Sequence, residues 1–256
     1  MVIGNTHKEF DLWGLWMVRV LVIIPCYNEG KNIGQVIKNI NDCVSGYSQD
    51  ELCFDYVIVN DCSTDSTLEI CITNNYKYLN LPINLGIGGA VQAGYRYAFD
   101  NGYDIAIQHD GDGQHDPVFF PDIIAPIVSD IADIVIGSRF LEKQGFQSSG
   151  LRRFGISFIS TIIKICTGKK IHDVTSGYRA ANKKFIELFA RHYAQDYPEP
   201  EAIVSAVHNK ARMLEIPVIM HERKEGASSI NTLKSMHYMI KVSLSILLHK
   251  LVIPKK

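Results

Sequence analysis

Residues Val18 to Ile24 form a nearly unbroken β-branched and leucine-rich run interrupted only by Arg19. A strand of that composition is buried on both faces, which places it inside a sheet covered by helices on either side. Pro25 is expected to end it. The same kind of run returns at Phe54 to Val59, Leu79 to Ile83, Tyr103 to Ile107 and Asp133 to Gly137. Helical patterns fall between the runs. Asn32 to Val44 carries Ile33, Val36, Ile37 and Ile40 on one face, and Ser66–Asn74, Gly88–Asn101 and Pro121–Ser129 follow in their turn. Strand–helix alternation predicts an α/β fold, three layers deep, with a mostly parallel central sheet. Such sheets bind ligands beyond the carboxyl ends of their strands. Asn28, Asp61 and Asp110 each stand just after an apolar strand, so one shared site is expected there.

The second half is less regular. Arg152 to Thr167 is an apolar helix with a basic start, and Val174 to Ala180 is a loop entering a short strand. Helices are expected over Phe185–Tyr193 and Ala202–Lys210, and a strand over Met213–Met220. The chain divides into an extension, residues 1–16, outside the fold, a main domain over 17–229, and a C-terminal helix over 230–256. Met17 is itself a suitable start, and the first 16 residues lack the apolar core of a signal peptide. In the final helix Leu233, Met236, Ile240, Leu244, Leu247 and Leu251 share a stripe. That stripe packs on the core or on a partner chain, giving a homodimer, or it lies in a membrane surface as a peripheral anchor. The apolar stretch between Lys241 and Lys250 is too short to span a bilayer.

A chain of 256 residues suffices for one large α/β domain. Its net charge of -1 supplies no basic field, which argues against nucleic acid as a partner. The 6 cysteines include no Cys-x-x-Cys pair and read as reduced thiols of a cytoplasmic protein.

The segment Gln108-His109-Asp110-Gly111-Asp112-Gly113-Gln114-His115-Asp116-Pro117 crowds three carboxylates and two imidazoles into ten positions. Packed like charges repel, so stability alone does not account for it. A hard divalent cation does: Asp110 and Asp112 offer oxygen ligands suited to Mg²⁺ or Mn²⁺, while the glycines admit a large ligand close to the backbone. An Asp-x-Asp at a strand end, with nucleotide-site features upstream, suggests a metal holding a diphosphate. Upstream, Pro25-Cys26-Tyr27-Asn28-Glu29 offers a flat ring for a base and polar groups for ribose or base. Asp61 can accept a base N–H, Asp65 can cap the next helix, and Gly88 in the glycine-rich run Asn84–Ala90 lets backbone approach a sugar or phosphate. The spacing of those glycines is not that of a dinucleotide fingerprint.

Taken in order, these motifs resemble glycosyltransferase family 2, the inverting GT-A enzymes with a Rossmann-like sheet, over roughly Met17 to Ser229. The likeness is strongest to the branch containing dolichol- and polyprenyl-phosphate sugar synthases. It extends to Gly137-Ser138-Arg139, Arg152-Arg153, Thr175-Ser176-Gly177-Tyr178-Arg179 and Arg223-Lys224-Glu225-Gly226-Ala227-Ser228. The resemblance implies that Pro25, Tyr27, Asn28, Glu29 and Asp61 hold the nucleotide, and that Asp110, Asp112 and Gln114 hold Mg²⁺ or Mn²⁺ on the diphosphate. It implies that Arg139, Arg152 and Arg223, with Ser176, Arg179 and Ser228, meet donor or acceptor phosphates. His109, His115 and Asp116 take supporting roles. Two departures stand out. Where many members carry the general base, this chain reads Asp196-Tyr197-Pro198-Glu199-Pro200-Glu201, so either Glu199 or Glu201 is the candidate. Where the lipid-phosphate branch tends to have Ser-Lys, this chain has Ser228-Ser229, which weakens the case for that acceptor.

The reading is a metal-dependent inverting glycosyltransferase on the cytosolic face of a membrane. Its donor is a nucleoside diphosphate sugar, with UDP favoured. Its acceptor is a lipid-linked saccharide or a polyprenyl phosphate, in cell-envelope or exopolysaccharide assembly. A nucleotidyltransferase is the first rival, and the turn Pro25 to Gly30 lacks the Arg- and Lys-bearing glycine loop that class needs. A non-catalytic nucleotide-sugar-binding protein is the second, and the intact Asp110 and Asp112 speak against it.

Overall fold

The computed structural model describes residues 17–47, 52–142, 150–196 and 198–222, together with Lys241, Ser243 and Leu244; side chains of residues 150–152 lie outside the description. The extension 1–16 and nearly all of the expected C-terminal helix also fall outside it. Seven strands pair in the order β3-β2-β1-β4-β6-β5-β7. They are β1 Val18–Cys26, β2 Leu52–Asn60, β3 Tyr78–Asn80, β4 Ile105–Gln108, β5 Ile134–Ser138, β6 Arg179–Asn182 and β7 Met213–Pro217. Only β6 runs against its neighbours, antiparallel to both β4 and β5. The helices are α1 Ile33–Val44, α2 Thr67–Thr73, α3 Gly86–Asp100, α4 Phe120–Val128, α5 Gly150–Thr167, α6 Lys183–Arg191 and α7 Pro198–His208.

Alternation along β1 separates two cores. Leu21 and Ile23 face a layer built by α3, α5, α6 and α7, while Val20, Val22 and Ile24 face α1 and α4. All five side chains are fully buried, so the sheet is covered on both faces as the apolar run requires. The three-layer α/β/α fold expected from the sequence is therefore present.

Of the boundaries that differ from expectation, two involve prolines. Pro25 does not end β1: Pro25 and Cys26 still pair with Val59 and Asn60 of β2. Ile23 and Pro25 face the β4 side of the strand, and pairing with β4 stops at Ile23↔Gln108. The missing proline N–H therefore costs no ladder bond. Helix α7 begins at Pro198 rather than Ala202. Both Pro198 and Pro200 lie in the first turn, where backbone N–H groups lack helical partners in any case.

Gly88 is a packing residue. A Cβ there would lie 2.2 Å from the Ala194 carbonyl oxygen and 2.4 Å from that of Gln195. Its open side is filled by the protein's own backbone, so the sequence-based placement of a ligand against Gly88 gives way to close contact of α3 with the α6–α7 connection. We expect Gly88→Ala to lower stability by about 1–3 kcal/mol in urea unfolding while leaving nucleotide affinity of the folded protein unchanged.

Candidate active site

The chain leaves β1 toward β2 and β3, then returns to the other side of β1 as β4. That reversal opens a crevice at the carboxyl ends of β1 and β4, the usual ligand position in an open parallel sheet. Because β6 runs the opposite way, the residues that enter it arrive at the same edge. The site is thus assembled from the exits of β1, β2, β4 and β5 and the entrance of β6.

The turn after β1 is tied to the turn after β2. Asn28 adopts φ 58°, a left-handed conformation that asparagine tolerates. Its side-chain oxygen accepts from the Thr64 N–H at 2.8 Å, and its own N–H donates to Ser63 Oγ at 3.0 Å. Glu29 is buried, donates its N–H to Thr67 Oγ1 at 2.9 Å and accepts from Asn32 Nδ2 at 2.7 Å. Asp65 accepts the Thr67 and Gly30 N–H groups, as expected of a capping carboxylate. Burial alone would raise its pKa; these bonds outweigh that and lower it. Buried Asp61 takes the Leu85 N–H at 2.7 Å, which fixes the run before α3 against the end of β2. Tyr27 is 50% exposed at the crevice mouth, a position from which its ring can stack on a base. The structure so gathers Pro25, Tyr27, Asn28, Glu29 and Asp61 at one end of the crevice, with the Asn28 oxygen and Glu29 engaged in shaping the turn.

Asp110 follows β4. Its N–H donates to His115 Nδ1 at 3.0 Å, so the loop closes on itself. The His115 ring lies flat on Tyr178, with centroids 4.6 Å apart, and His109 meets His115, Phe120 and Tyr178 edge-on. Burial lowers the pKa of His109 to about 3 and that of His115 to about 4. Both imidazoles are neutral near pH 7 and pack within the loop. Asp112 Oδ1 accepts the Gln114 N–H at 3.0 Å. Gln114 itself turns its amide nitrogen to the His221 carbonyl at 3.2 Å, and its backbone oxygen accepts the His221 N–H at 2.9 Å. The amide oxygen of Gln114 is the atom suited to a cation.

Among the described residues no group of three or more His, Cys, Asp and Glu can hold a metal alone. Mg²⁺ is commonly held by one or two carboxylates plus substrate phosphates, without an all-protein cage. Asp110 and Asp112, both hard oxygen donors, fit such a shared ion.

The entrance of β6 brings the opposing wall. A Cβ on Gly177 would lie 3.0 Å from both Asp110 Oδ2 and Gln108 Nε2, so only glycine lets this wall come so near the acidic loop. Arg139, after β5, is buried and held by Asp173: Nε and Nη2 each donate to a carboxylate oxygen at 2.7 Å. Asp173, fully buried, has its N–H anchored on Glu215 of β7 at 2.9 Å. Arg179 is also buried; it donates to the Ser176 carbonyl and, at 3.2 Å, to the Glu199 carbonyl. Ser176 Oγ donates to the Gly137 carbonyl at 2.6 Å. Ser176 and Arg179 thus spend these bonds on joining β5, β6 and α7. Glu199 is half-buried at the start of α7. Burial raises its pKa, Asp110 adds to that, and Arg179 and Arg139 oppose it. Its charge therefore senses Asp110 of the acidic loop and both buried arginines. Arg152 lies in the first turn of α5; Arg223 and Ser228 fall outside the described residues. Sequence reasoning missed Asp173 and Glu215. An isolated acid in Ile171-His172-Asp173-Val174 carries no spacing signal, and its partners come from strands far along the chain.

A three-layer sheet with an acidic pair beside the β1–β4 crevice and buried arginines opposite defines a GT-A-type transferase. A model described as Glycosyl transferase family 2 matches residues 21–189, and the chain belongs to that family and is a glycosyltransferase. It is 30% identical over 222 residues to a UDP-N-acetylglucosamine--dolichyl-phosphate N-acetylglucosaminyltransferase of Methanococcus voltae, covering 78% of this chain and 84% of that one. It is 28% identical to an undecaprenyl-phosphate mannosyltransferase of Micrococcus luteus, covering 84% and 88% respectively. Among solved structures, glucosyl-3-phosphoglycerate synthase from Mycobacterium tuberculosis, in complex with Mn²⁺, uridine diphosphate and phosphoglyceric acid, superposes with a TM-score of 0.67. At 19% identity, over 93% of this chain and 80% of that one, it establishes the shared fold.

The histidine pair predicts a pH dependence. Their folded pKa values lie below the unfolded value near 6.5, so the unfolded chain binds more protons between about pH 6.5 and 4. Stability should fall as pH drops through that window; a flat profile in urea titrations would contradict the buried neutral assignment.

Proposed function

We propose that this protein transfers a sugar, with inversion, from a nucleoside diphosphate sugar to a polyprenyl-type phosphate. The observation that carries the reading is Asp110, on the acidic loop it shares with Asp112, coupled electrostatically to Arg139 and Glu199 across the crevice, in a chain whose relatives glycosylate dolichyl and undecaprenyl phosphates. The donor is UDP-linked in this reading, as in the Methanococcus relative. Tyr27 stacks the base, and Asp61 lines the nucleoside end. Asp110 and Asp112, assisted by Gln114, would hold Mg²⁺ or Mn²⁺. The ion supplies positive charge to the departing nucleoside diphosphate.

The remaining work falls to the chain itself. The Arg139 guanidinium, set by Asp173, adds fixed positive charge beside the reacting phosphates without reorganising. The acceptor phosphate is already anionic and attacks the anomeric carbon directly, so this reaction needs no proton abstraction. A second reading, a saccharide hydroxyl as acceptor, is favoured by one observation: the raised pKa of Glu199 suits a general base.

Two experiments decide. Asp112→Asn should weaken Mn²⁺-dependent binding of the donor and lower transfer by about 10²-fold or more, the scale of losing one charge-stabilising group; unchanged turnover would remove Asp112 from the metal. Glu199→Gln separates the acceptors. With a phosphate acceptor kcat should stay within several-fold and the pH–rate profile should keep its acid limb. With a hydroxyl acceptor kcat should fall by about 10²–10⁴-fold.

A further inference from the structure

We propose that Gln108 is a positioning residue for Asp110, its side-chain amide holding that carboxylate in the orientation a divalent cation needs. Gln108 is the last residue of β4 and is fully buried. Its side chain lies on the sheet face of Ala106, opposite that of Ile105 and Ile107. In register it stands beside Ile23 of β1 and Arg179 of β6. A strand position covered in this way is ordinarily apolar.

The amide is only half satisfied. The Tyr193 hydroxyl donates to Gln108 Oε1 at 3.4 Å, and burial holds that phenol well above its usual pKa, so it stays a donor. Among the described residues Gln108 Nε2 has no hydrogen-bond partner. A buried donor left unpaired is costly, and methionine or leucine would fill the same space without one. Packing alone therefore does not account for glutamine here.

The unpaired nitrogen is aimed at the acidic loop. The point where Gly177 would carry a Cβ lies 3.0 Å from Gln108 Nε2, and 3.0 and 3.1 Å from the two carboxylate oxygens of Asp110. Donor and carboxylate converge on one spot beside a residue that has no side chain. Carboxylates that hold metals are themselves hydrogen-bonded from behind, which fixes the oxygen presented to the ion. Asp112 has such a donor in the Gln114 N–H. Gln108 supplies the corresponding group for Asp110. A lysine or arginine in its place would compete with the cation, whereas a neutral amide donates without a rival charge. The inference rests on the metal reading of Asp110 and Asp112, and its test reads binding before turnover.

The measurement is Mn²⁺ affinity in the presence of UDP, by electron paramagnetic resonance on the full chain. Gln108→Met keeps the side-chain length and removes the donor; it should weaken Mn²⁺ binding by about 10–100-fold. Affinity for UDP without metal should stay at the wild-type value, because Tyr27 and Asp61 are untouched. Gln108→Met alone leaves the Tyr193 hydroxyl without its acceptor, so a second variant joins it to Tyr193→Phe. Exchanging both partners for apolar groups of similar shape is nearly neutral for stability. The double variant should unfold in urea as wild type does and show the same loss of Mn²⁺ affinity. Variants that bind Mn²⁺ as wild type does would overturn the role of Gln108 and leave the metal reading standing. A double variant that unfolds well before wild type, or metal-free UDP affinity that falls in step with Mn²⁺ affinity, would mark general damage and overturn it equally. Wild-type protein that binds no Mn²⁺ with UDP would remove the metal reading and this proposal together.

Discussion

The central position of β1 is the constraint on which the rest depends. It pairs with β2 on one side and β4 on the other and is buried on both faces. Its buried span, Val20 to Cys26, is apolar throughout, so polar function is displaced to its end. The chain then departs to one side of β1 and returns on the other. The turn after β1, the turn after β2 and the acidic loop after β4 are in consequence neighbours around one crevice.

The reversed strand β6 completes the arrangement. A parallel strand in its place would deliver its entrance to the far edge of the sheet. Running backwards, β6 carries Asp173, Ser176 and Gly177 to the catalytic edge, where Asp173 grips Arg139 and Gly177 admits Asp110. A buried pair such as Arg139–Asp173 adds little net stability, because desolvation offsets most of the attraction, yet losing one partner costs about 3–5 kcal/mol. Its contribution is geometric: the guanidinium is held in one orientation beside the crevice.

Much of this was readable from residue types. The strand–helix alternation, the acidic pair at the end of β4 and the capping role of Asp65 follow from local chemistry, and the structure places each where it was expected. The glycines were less legible. Gly88 and Gly111 looked like openings for a ligand, but a Cβ on Gly111 would lie 2.4 Å from Cys26 Sγ, and one on Gly88 would meet the backbone of residues 194 and 195. A glycine announces close approach without saying what approaches. The same limit applies to Arg179 and Ser176, whose polar groups bond to carbonyls of the protein itself.

By itself, then, the sequence determined the layer order, the strand whose end carries the carboxylates and the family of the chain, because periodicity and motif order are local properties. Tertiary structure alone decided that Glu199 couples to Asp110, Arg139 and Arg179, and that Asp173 and Glu215 brace the wall opposite the acidic loop. Those outcomes depend on contacts between segments tens of residues apart, and on burial, which changes the charge state a side chain prefers. Neither quantity exists until the sheet has closed.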